Sequence, residues 1–317
     1  MIRVLVPATS ANCSIGFDSL GMALEWRSVF TFEESEEFKV TGCDPEFANE
    51  NNLVVQAFRL TAQTFGKKMP VFHMHTETDI PLARGLGSSS ACVVGGIEAA
   101  NAWFDLKLSK EEMLKLAIVL EGHPDNAAPA LMGGMTACFK IPDSKKKPNQ
   151  FKSENNTDRS QNAKPEEAKD EFIHSLMDID GFIALAVIPD YEVSTPEARK
   201  ALPEKVLLQE AAAQIGRALV FREAITAGNE KLLYTCCEDV FHEPYRQKLI
   251  KEYGELKSLA DQYEIPFWIS GSGSTMLYLS KSVEQLEKVK EELKNKFPNF
   301  GYRILKPARK GALVEYV

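Results

Sequence analysis

The sequence predicts an α+β protein of two fused lobes, and three observations carry that expectation. Strand-like and helix-like periods are mixed in both halves of the chain without regular strand–helix alternation. At 317 residues the chain is long enough for two modest domains sharing one interface, or for one large domain. A polar stretch near the middle carries almost no residue able to build a core. The expected division is a first lobe over 1–142, a polar insertion or linker over 143–175, and a second lobe over 176–317.

The elements follow in order. Ile2 to Val6 is a β-branched run ended by Pro7, and residues 22–40, with Trp26, Val29, Phe30, Phe32 and Val40, alternate as further strands. A polar, asparagine-rich bend from Glu46 to Asn52 precedes Leu53 to Leu60, whose apolar residues recur at helical spacing. Val71 to Thr76 is again a strand. The glycine-rich stretch Pro81 to Ala91 then opens the small and apolar run Ala91 to Ala102, a buried helix. Ser109 to Glu112 reads as a capping box; its helix carries Met113, Leu116, Ala117 and Leu120, delivers Glu121 to the last turn and stops at Gly122. Pro129 to Phe139 reads as a turn and a strand.

From Asp143 to Asp170 lysines, asparagines and acids occur in nearly equal numbers, which is the composition of a solvated segment. The cluster Lys145 to Lys147 is cancelled by nearby acids and is assigned no function. Phe182 to Ile188 is a continuous apolar run of strand length that Pro189 closes. Helical patterns cover Lys205 to Ala227 and two further stretches at 230–240 and 246–262, and a strand, helix, strand series runs from Phe267 to Val317. The chain has no internal repeat.

Composition excludes several classes. A 44% apolar and 26% charged chain has ordinary globular proportions, and a net charge of −8 argues against nucleic-acid and membrane-surface binding, which need a dense basic patch. The six cysteines make no Cys-x-x-Cys pair and no zinc spacing, so they read as reduced thiols of a cytoplasmic protein. No apolar run of about 20 residues could span a bilayer.

The chemistry concentrates in a few stretches. In Pro81-Leu82-Ala83-Arg84-Gly85-Leu86-Gly87-Ser88-Ser89-Ser90-Ala91, two glycines and three hydroxyls precede a helix. Glycine permits close backbone approach, and the first helical turn leaves amide N–H groups free for a polyphosphate. It is not a Walker A loop, since the Gly-x-x-x-x-Gly-Lys spacing is missing. Two other stretches accompany it. Pro7-Ala8-Thr9-Ser10-Ala11-Asn12 leads to Gly16-Phe17-Asp18-Ser19-Leu20-Gly21, and Glu121-Gly122-His123-Pro124-Asp125-Asn126 ends a helix at Glu121 and enters a tight, proline-containing bend over His123 to Asn126.

Together these three motifs resemble those of the GHMP kinases, and most closely the members that act on homoserine; the likeness spans most of the chain outside the segment around 143–175. The family's C-terminal glycine turn has its counterpart in Ser270-Gly271-Ser272-Gly273-Ser274-Thr275, with serine at 272 and 274 a modest departure, as is Cys13-Ser14-Ile15 in the opening motif. The resemblance implies a two-lobed GHMP kinase fold: an N-terminal lobe like domain 2 of ribosomal protein S5 and a ferredoxin-like C-terminal lobe, with ligands at their junction. It implies ATP and Mg²⁺, with ATP on residues 81–91 and Asn52 at the edge of the adenine pocket. It places Ser89 and Glu121 on the metal, the hard oxygen set Mg²⁺ prefers. Asn126 orients the acceptor hydroxyl, and His123 and Asn12 contact the substrate.

The amino-acid end is assigned in the same way. Asp18 is expected to hold the substrate's amino group rather than to act as a base, because an alcohol attacking through a loose transition state needs positioning more than deprotonation. Arg199 in Val193-Ser194-Thr195-Pro196-Glu197-Ala198-Arg199 and Arg246 in His242-Glu243-Pro244-Tyr245-Arg246, with Thr195, are expected to bind a carboxylate, for which the guanidinium fork is suited. The implied reaction is ATP-dependent phosphorylation of the side-chain hydroxyl of L-homoserine, giving O-phospho-L-homoserine on the route to threonine, by a homodimer. Two rivals stand beside it: a related kinase of mevalonate or a sugar, for which two carboxylate-binding arginines would be out of place, and a non-catalytic sensor of the same fold, whose mark would be loss of Glu121 or of the serine loop.

Overall fold

The computed structural model describes residues 1–141 and 171–317. In chain order the first lobe holds β1 (Ile2–Ala11), β2 (Leu20–Glu34), β3 (Lys39–Thr41), α1 (Leu53–Thr64), β4 (Phe72–Glu77), α2 (Ser88–Trp103), α3 (Lys110–Glu121), α4 (Pro124–Met132), β5 (Met135–Ile141) and β6 (Glu171–Met177). There follow β7 (Ile183–Ile188), α5 (Thr195–Lys200), α6 (Leu208–Ala227), α7 (Glu230–Cys236), α8 (Glu243–Arg246), α9 (Tyr253–Gln262), β8 (Phe267–Ile269), β9 (Met276–Ser280), α10 (Val283–Lys296), β10 (Gly301–Leu305) and β11 (Leu313–Tyr316).

The long strand β2 organises the first sheet. It runs antiparallel to β1 along one edge, and along the other to β5 at its start and to β4 at its end, while β11 closes the far side of β1. The register of β1 against β2 shifts between Pro7 and Ala8, at the residue that lacks an N–H for the ladder. Beyond that bulge β1 reaches the lobe junction: Thr9 N donates to Leu86 O and Ala11 O accepts from Gly271 N. Helix α2 is apolar on nearly every side because it sits between this sheet and α1, α3 and α4. The Ser109 capping box of α3 forms in both directions, Ser109 Oγ accepting from Glu112 N and Ser109 N donating to Glu112 Oε2.

The second sheet, β10-β7-β9-β8, explains why the 182–188 run lacks alternation. Ala184 and Ala186 of β7, with Leu277 and Leu279 of β9, face a core that also contains Leu20, Met22, Leu24 and Leu86 of the first lobe. Leu185, Val187, Met276 and Tyr278 face a second core under α9 and α10. The first of these cores therefore spans both lobes. With each fully buried aliphatic side chain contributing about 1.5–3 kcal/mol, it fixes their mutual placement.

Several boundaries differ from the sequence reading. Residues 22–40 form one strand beginning at Leu20 plus the short β3. Helix α4 continues through Pro129 to Met132: the Asp125 carbonyl that Pro129 cannot bond faces Gly21, where a Cβ would stand 1.7 Å from it. The His123-to-Asn126 segment is accordingly the start of a helix rather than a bend. The linker expected over 143–175 gives way to a strand by residue 171, because Phe172 packs on the first lobe's own core, that of Val93, Ile97 and Leu116, and β6 pairs with β5; residues 142–170 lie outside the described residues. Both β6 and β11 join the first sheet, so the end of the chain returns to the lobe in which it began.

Candidate active site

A cavity of about 390 Å³ opens at the lobe junction, lined by the glycine loop, the start of α2, the end of α3, the start of α4, the 12–18 loop, α5, α8 and the 271–272 turn. A larger one, about 650 Å³, lies by Gly134, Leu176 and Lys306, away from every motif residue, and its Asp180 and Arg309 pair with each other at the surface.

At the first pole two glycines are required by space as well as by conformation. Gly87, at φ +68°, is the N-cap of α2, and a Cβ there would come within 1.8 Å of Thr9 Oγ1. Gly85, at φ +76°, would meet Ser270 O at 2.1 Å. The same Ser270 donates its hydroxyl to Gly85 O at 2.6 Å, and Thr275 N donates to Arg84 O, so the C-terminal glycine turn supports the first loop. The N–H groups of the first turn of α2 and the helix dipole then point into the cavity, a ready anion site. Beside them Ser89 Oγ donates to Glu121 Oε1 at 2.6 Å and Ser90 Oγ donates to the other carboxylate oxygen. Cys92, one turn on, is pushed up to about 12 by burial and by Glu121, which leaves it a neutral thiol.

The second pole carries charge from both lobes. Asn126 Oδ1 accepts from Thr9 Oγ1 at 2.7 Å, which fixes the amide. His123 Nδ1 pairs with Asp125 Oδ1. Burial opposes charging of His123, but the Asp125 charge and hydrogen bond outweigh it and raise the ring to about 9, while Asp125 is held below the usual carboxylate range. Arg199 grips Asp18 through two hydrogen bonds of 2.9 and 3.1 Å. Arg246 is 3% exposed; its Nη1 donates to Gly271 O at 2.8 Å and its Nε has no protein partner. Burial, then the Arg199 charge, pushes Arg246 down to about 10, so this pole is short of negative charge. Asp18, His123 and Asp125 form a group compact enough to surround a metal ion, but Arg199 already holds Asp18, and His123 and Asp125 satisfy each other.

The loop carrying Asp18 is strained. Asn12, Cys13, Ser14 and Asp18 all have positive φ, a conformation that costs non-glycine residues of order 1–3 kcal/mol each. Its anchors come mostly from the second lobe: Gln214 Nε2 donates to Ile15 O, His242 Nε2 to Ser14 O, and Asn12 Nδ2 to Gly271 O, at 2.8, 2.8 and 3.0 Å. Asn12 Oδ1 in turn accepts from Asp18 N. Because a carbonyl only accepts, the His242 proton sits on Nε2. Burial keeps that ring below its ordinary pKa despite the charge of Asp239.

Of the residues expected from sequence, Asn12, Asp18, Ala83, Gly85, Gly87, Ser88, Ser89, Ser90, Glu121, His123, Asn126, Thr195, Arg199 and Arg246 line this one cavity. Others do not. Leu86 is buried in the interlobe core, and Arg84 braces the second lobe through Glu192 at 3.1 Å and Pro189 O. Asn52 caps α1, accepting from Val54 N and donating to Phe47 O, so its amide is spent on the fold; Pro81, Leu82 and Ala91 are likewise absent from the cavity wall. Sequence reasoning missed Thr9, Gln214 and the Gly271 carbonyl. Thr9 and Gly271 stood inside quoted motifs, whereas Gln214 carried no local signal.

The chain is similar to known proteins over most of its length. The GHMP kinases N terminal domain matches residues 52–134 and the GHMP kinases C terminal domain residues 210–299. The chain is 35% identical over 305 residues to a homoserine kinase of Clostridium botulinum, covering 94% of each. It is 37% identical over 292 residues to one of Clostridium acetobutylicum, covering 90% of this chain and 89% of that one. Among solved structures, the homoserine kinase of Cytophaga hutchinsonii superposes with a TM-score of 0.80 at 26% identity over 99% of this chain and 97% of that one. A Streptococcus pneumoniae phosphomevalonate kinase, in complex with phosphomevalonate and AMPPNP, has a TM-score of 0.71 at 12% identity, covering 97% and 99%, a likeness of fold alone.

Proposed function

The chain belongs to the GHMP kinase family, and from that premise we propose that it transfers the γ-phosphoryl group of ATP to the side-chain hydroxyl of L-homoserine, giving O-phospho-L-homoserine on the route to threonine. The observation that carries the substrate is Arg199 and Arg246 of the second lobe lining the same cavity as Ser88 to Ser90 and Glu121 of the first. A pole with two guanidinium groups and a shortage of negative charge suits an amino-acid carboxylate, and Asp18 suits its ammonium group. The incoming zwitterion exchanges the single Asp18–Arg199 pair for two ion pairs of its own.

Phosphoryl transfer then needs little covalent help from the protein. The glycine loop and the first turn of α2 hold the triphosphate, and Asn126, fixed by Thr9, orients the attacking hydroxyl. His123, charged through Asp125, supplies a donor at the acceptor end. Ser89 and Glu121 would hold Mg²⁺: they offer one hydroxyl and one carboxylate 2.6 Å apart at the mouth of the anion site, hard oxygen donors that leave room for water and phosphate. The metal would offset the negative charge of the phosphate groups. Asp18 acts as an anchor, consistent with its engagement by Arg199 in the free protein.

A homodimer is part of the proposal. Leu208, Ile215 and Leu219 of α6 are 85, 61 and 70% exposed in line with Ala212 and with Gly216, whose missing Cβ faces open space. Run antiparallel against itself, this stripe sets large residues on small ones, the self-complementarity a two-fold interface requires. Leu219→Glu is expected to leave a monomer by light scattering; a wild-type monomer would remove the idea. The six free cysteines support a reducing, cytoplasmic setting, and among the described residues no helix is long and apolar enough to cross a membrane. The substrate is tested by ADP release with L-homoserine, mevalonate and galactose offered separately. Turnover of homoserine alone is expected, and turnover of only one of the others would overturn the assignment.

A further inference from the structure

Two aromatic rings join the poles of the amino-acid site, and no hydrogen-bonding role accounts for both. Phe17 immediately precedes Asp18, and its ring stacks on His242 with centroids 5.5 Å apart at 27°. The Arg246 guanidinium lies over the same Phe17 ring, its central carbon 5.3 Å from the centroid. His242 is fully buried and is the N-cap of α8, the short helix that ends in Arg246; Arg246 N donates to His242 O at 2.9 Å. On the other side its Nε2 holds Ser14 O, in the strained stretch that leads to Asp18. Behind it Asp239 accepts from His242 N at 2.6 Å, from Glu243 N at 2.8 Å and from Gln214 Nε2 at 2.6 Å, so the backbone that carries the ring is fixed. The residue before Asp18 and the residue one turn before Arg246 are thereby packed against each other. Neither ring is placed to move a proton.

We infer that Phe17 and His242 are positioning residues that set the span between Asp18 and Arg246, and that this fixed span selects the chain length of the amino-acid alcohol. The inference rests on the homoserine reading above and deepens it. An α-amino acid presents its ammonium and carboxylate at one end, so when both are pinned the reach to the phosphoryl group is set by the methylenes that remain. A span held by stacked rings fixes where that end sits. Loosening the stack lets the zwitterion shift, and a longer or shorter alcohol can then bring its hydroxyl to Asn126.

The test compares wild type, Phe17→Leu, Phe17→Tyr and His242→Phe with L-homoserine, L-serine, one carbon shorter, and L-2-amino-5-hydroxypentanoate, one carbon longer. A single methylene is commonly worth about 10- to 200-fold in discrimination. Phe17→Leu is expected to raise KM for homoserine about tenfold, to leave KM for ATP within about twofold, and to cut the preference for homoserine over the longer alcohol about tenfold. Phe17→Tyr, which keeps the ring, should retain wild-type preference. His242→Phe keeps a stacked ring but loses the bond to Ser14 O, and should shift the preference in the same direction by less. Because the two sites are read independently, failure of one variant to fold leaves the other to decide. Unchanged preference in a folded Phe17→Leu or His242→Phe, or equal losses for ATP and homoserine, overturns the inference while leaving the kinase assignment intact. A wild type that phosphorylates no amino-acid alcohol removes both.

Discussion

Arg246→Leu separates the two poles of the site most sharply. The side chain is 3% exposed, so a guanidinium that binds substrate there does so away from water, and removing it leaves a desolvated carboxylate without its partner. Truncating one member of a buried charge pair costs about 2–4 kcal/mol, which is about 30- to 900-fold in kcat/KM for homoserine. The collateral damage is small. Gly271 O, which loses the 2.8 Å bond from Arg246 Nη1, keeps the 3.0 Å bond from Asn12 Nδ2, and leucine fills much of the space beneath Phe17. The Ser88-to-Ser90 turn is built on the first lobe and its hydroxyls bond Glu121, so KM for ATP should stay within about twofold. Initial rates are measured with homoserine varied at saturating ATP and then the reverse. A parallel rise in both KM values, or a loss below about fivefold in kcat/KM for homoserine, would refute a dedicated carboxylate site.

Three other perturbations address other parts of the argument. Gly87→Ala forces a Cβ within 1.8 Å of Thr9 Oγ1 at a backbone angle alanine avoids; a displacement of about 1 Å in the anion loop should lower kcat/KM for ATP about 100-fold, and unaltered ATP kinetics would contradict the close approach. Asp18→Asn should raise KM for homoserine far more than it lowers kcat, since Arg199 and the ammonium group lose their counter-charge; a fall of several orders in kcat at constant KM would make Asp18 the base. Glu243 is buried, and burial followed by the Asp239 charge raises its pKa from 4.5 to about 8. Its unfolded form therefore releases a proton earlier than its folded form as pH rises from 4.5 to 8, and stability falls across that window. Glu243→Gln, which can still accept from Ile269 N, should gain at least about 2 °C in Tm relative to wild type between pH 5 and pH 8. A pH-independent difference would refute the assignment.

What the sequence made legible was whatever depends on neighbours along the chain. The capping box of α3 and the glycine turn before α2 are local choices of backbone geometry, and each stands where its pattern put it, whereas β1, expected to end at Pro7, runs on past a bulge to Ala11 because β2 continues to pair with it. The interlobe core was not legible, because the alanines and leucines of β7 and β9 point in turn to two different cores and so give no alternating signal. Pro129 misled for a related reason. A proline reads as a helix stop unless the carbonyl it abandons has a place to go, and that place is Gly21, more than a hundred residues away. Asn52, expected at the edge of the adenine pocket, caps α1, a common use of an asparagine before a helix.

The same distinction explains the site. Motif spacing could assign Asp18, Arg199 and Arg246 to a common ligand, but it could not reveal that Asp18 and Arg199 hold each other in the free protein, since they are separated by 181 residues. That pairing changes the energetics of binding. A ligand offering only a carboxylate must leave Asp18 without a cation, and one offering only an amine must leave both guanidinium groups without an anion; either forfeits about as much as it gains. Only a ligand carrying both charges at the right spacing replaces the lost pair. On the roles proposed for these residues, discrimination in favour of an α-amino acid is built into the resting state of the pocket, and it depends on Asp18 and Arg246 standing a fixed distance apart. Gln214 and His242 hold the strained loop at Ile15 O and Ser14 O, so Asp18 keeps its position because the lobes share one core.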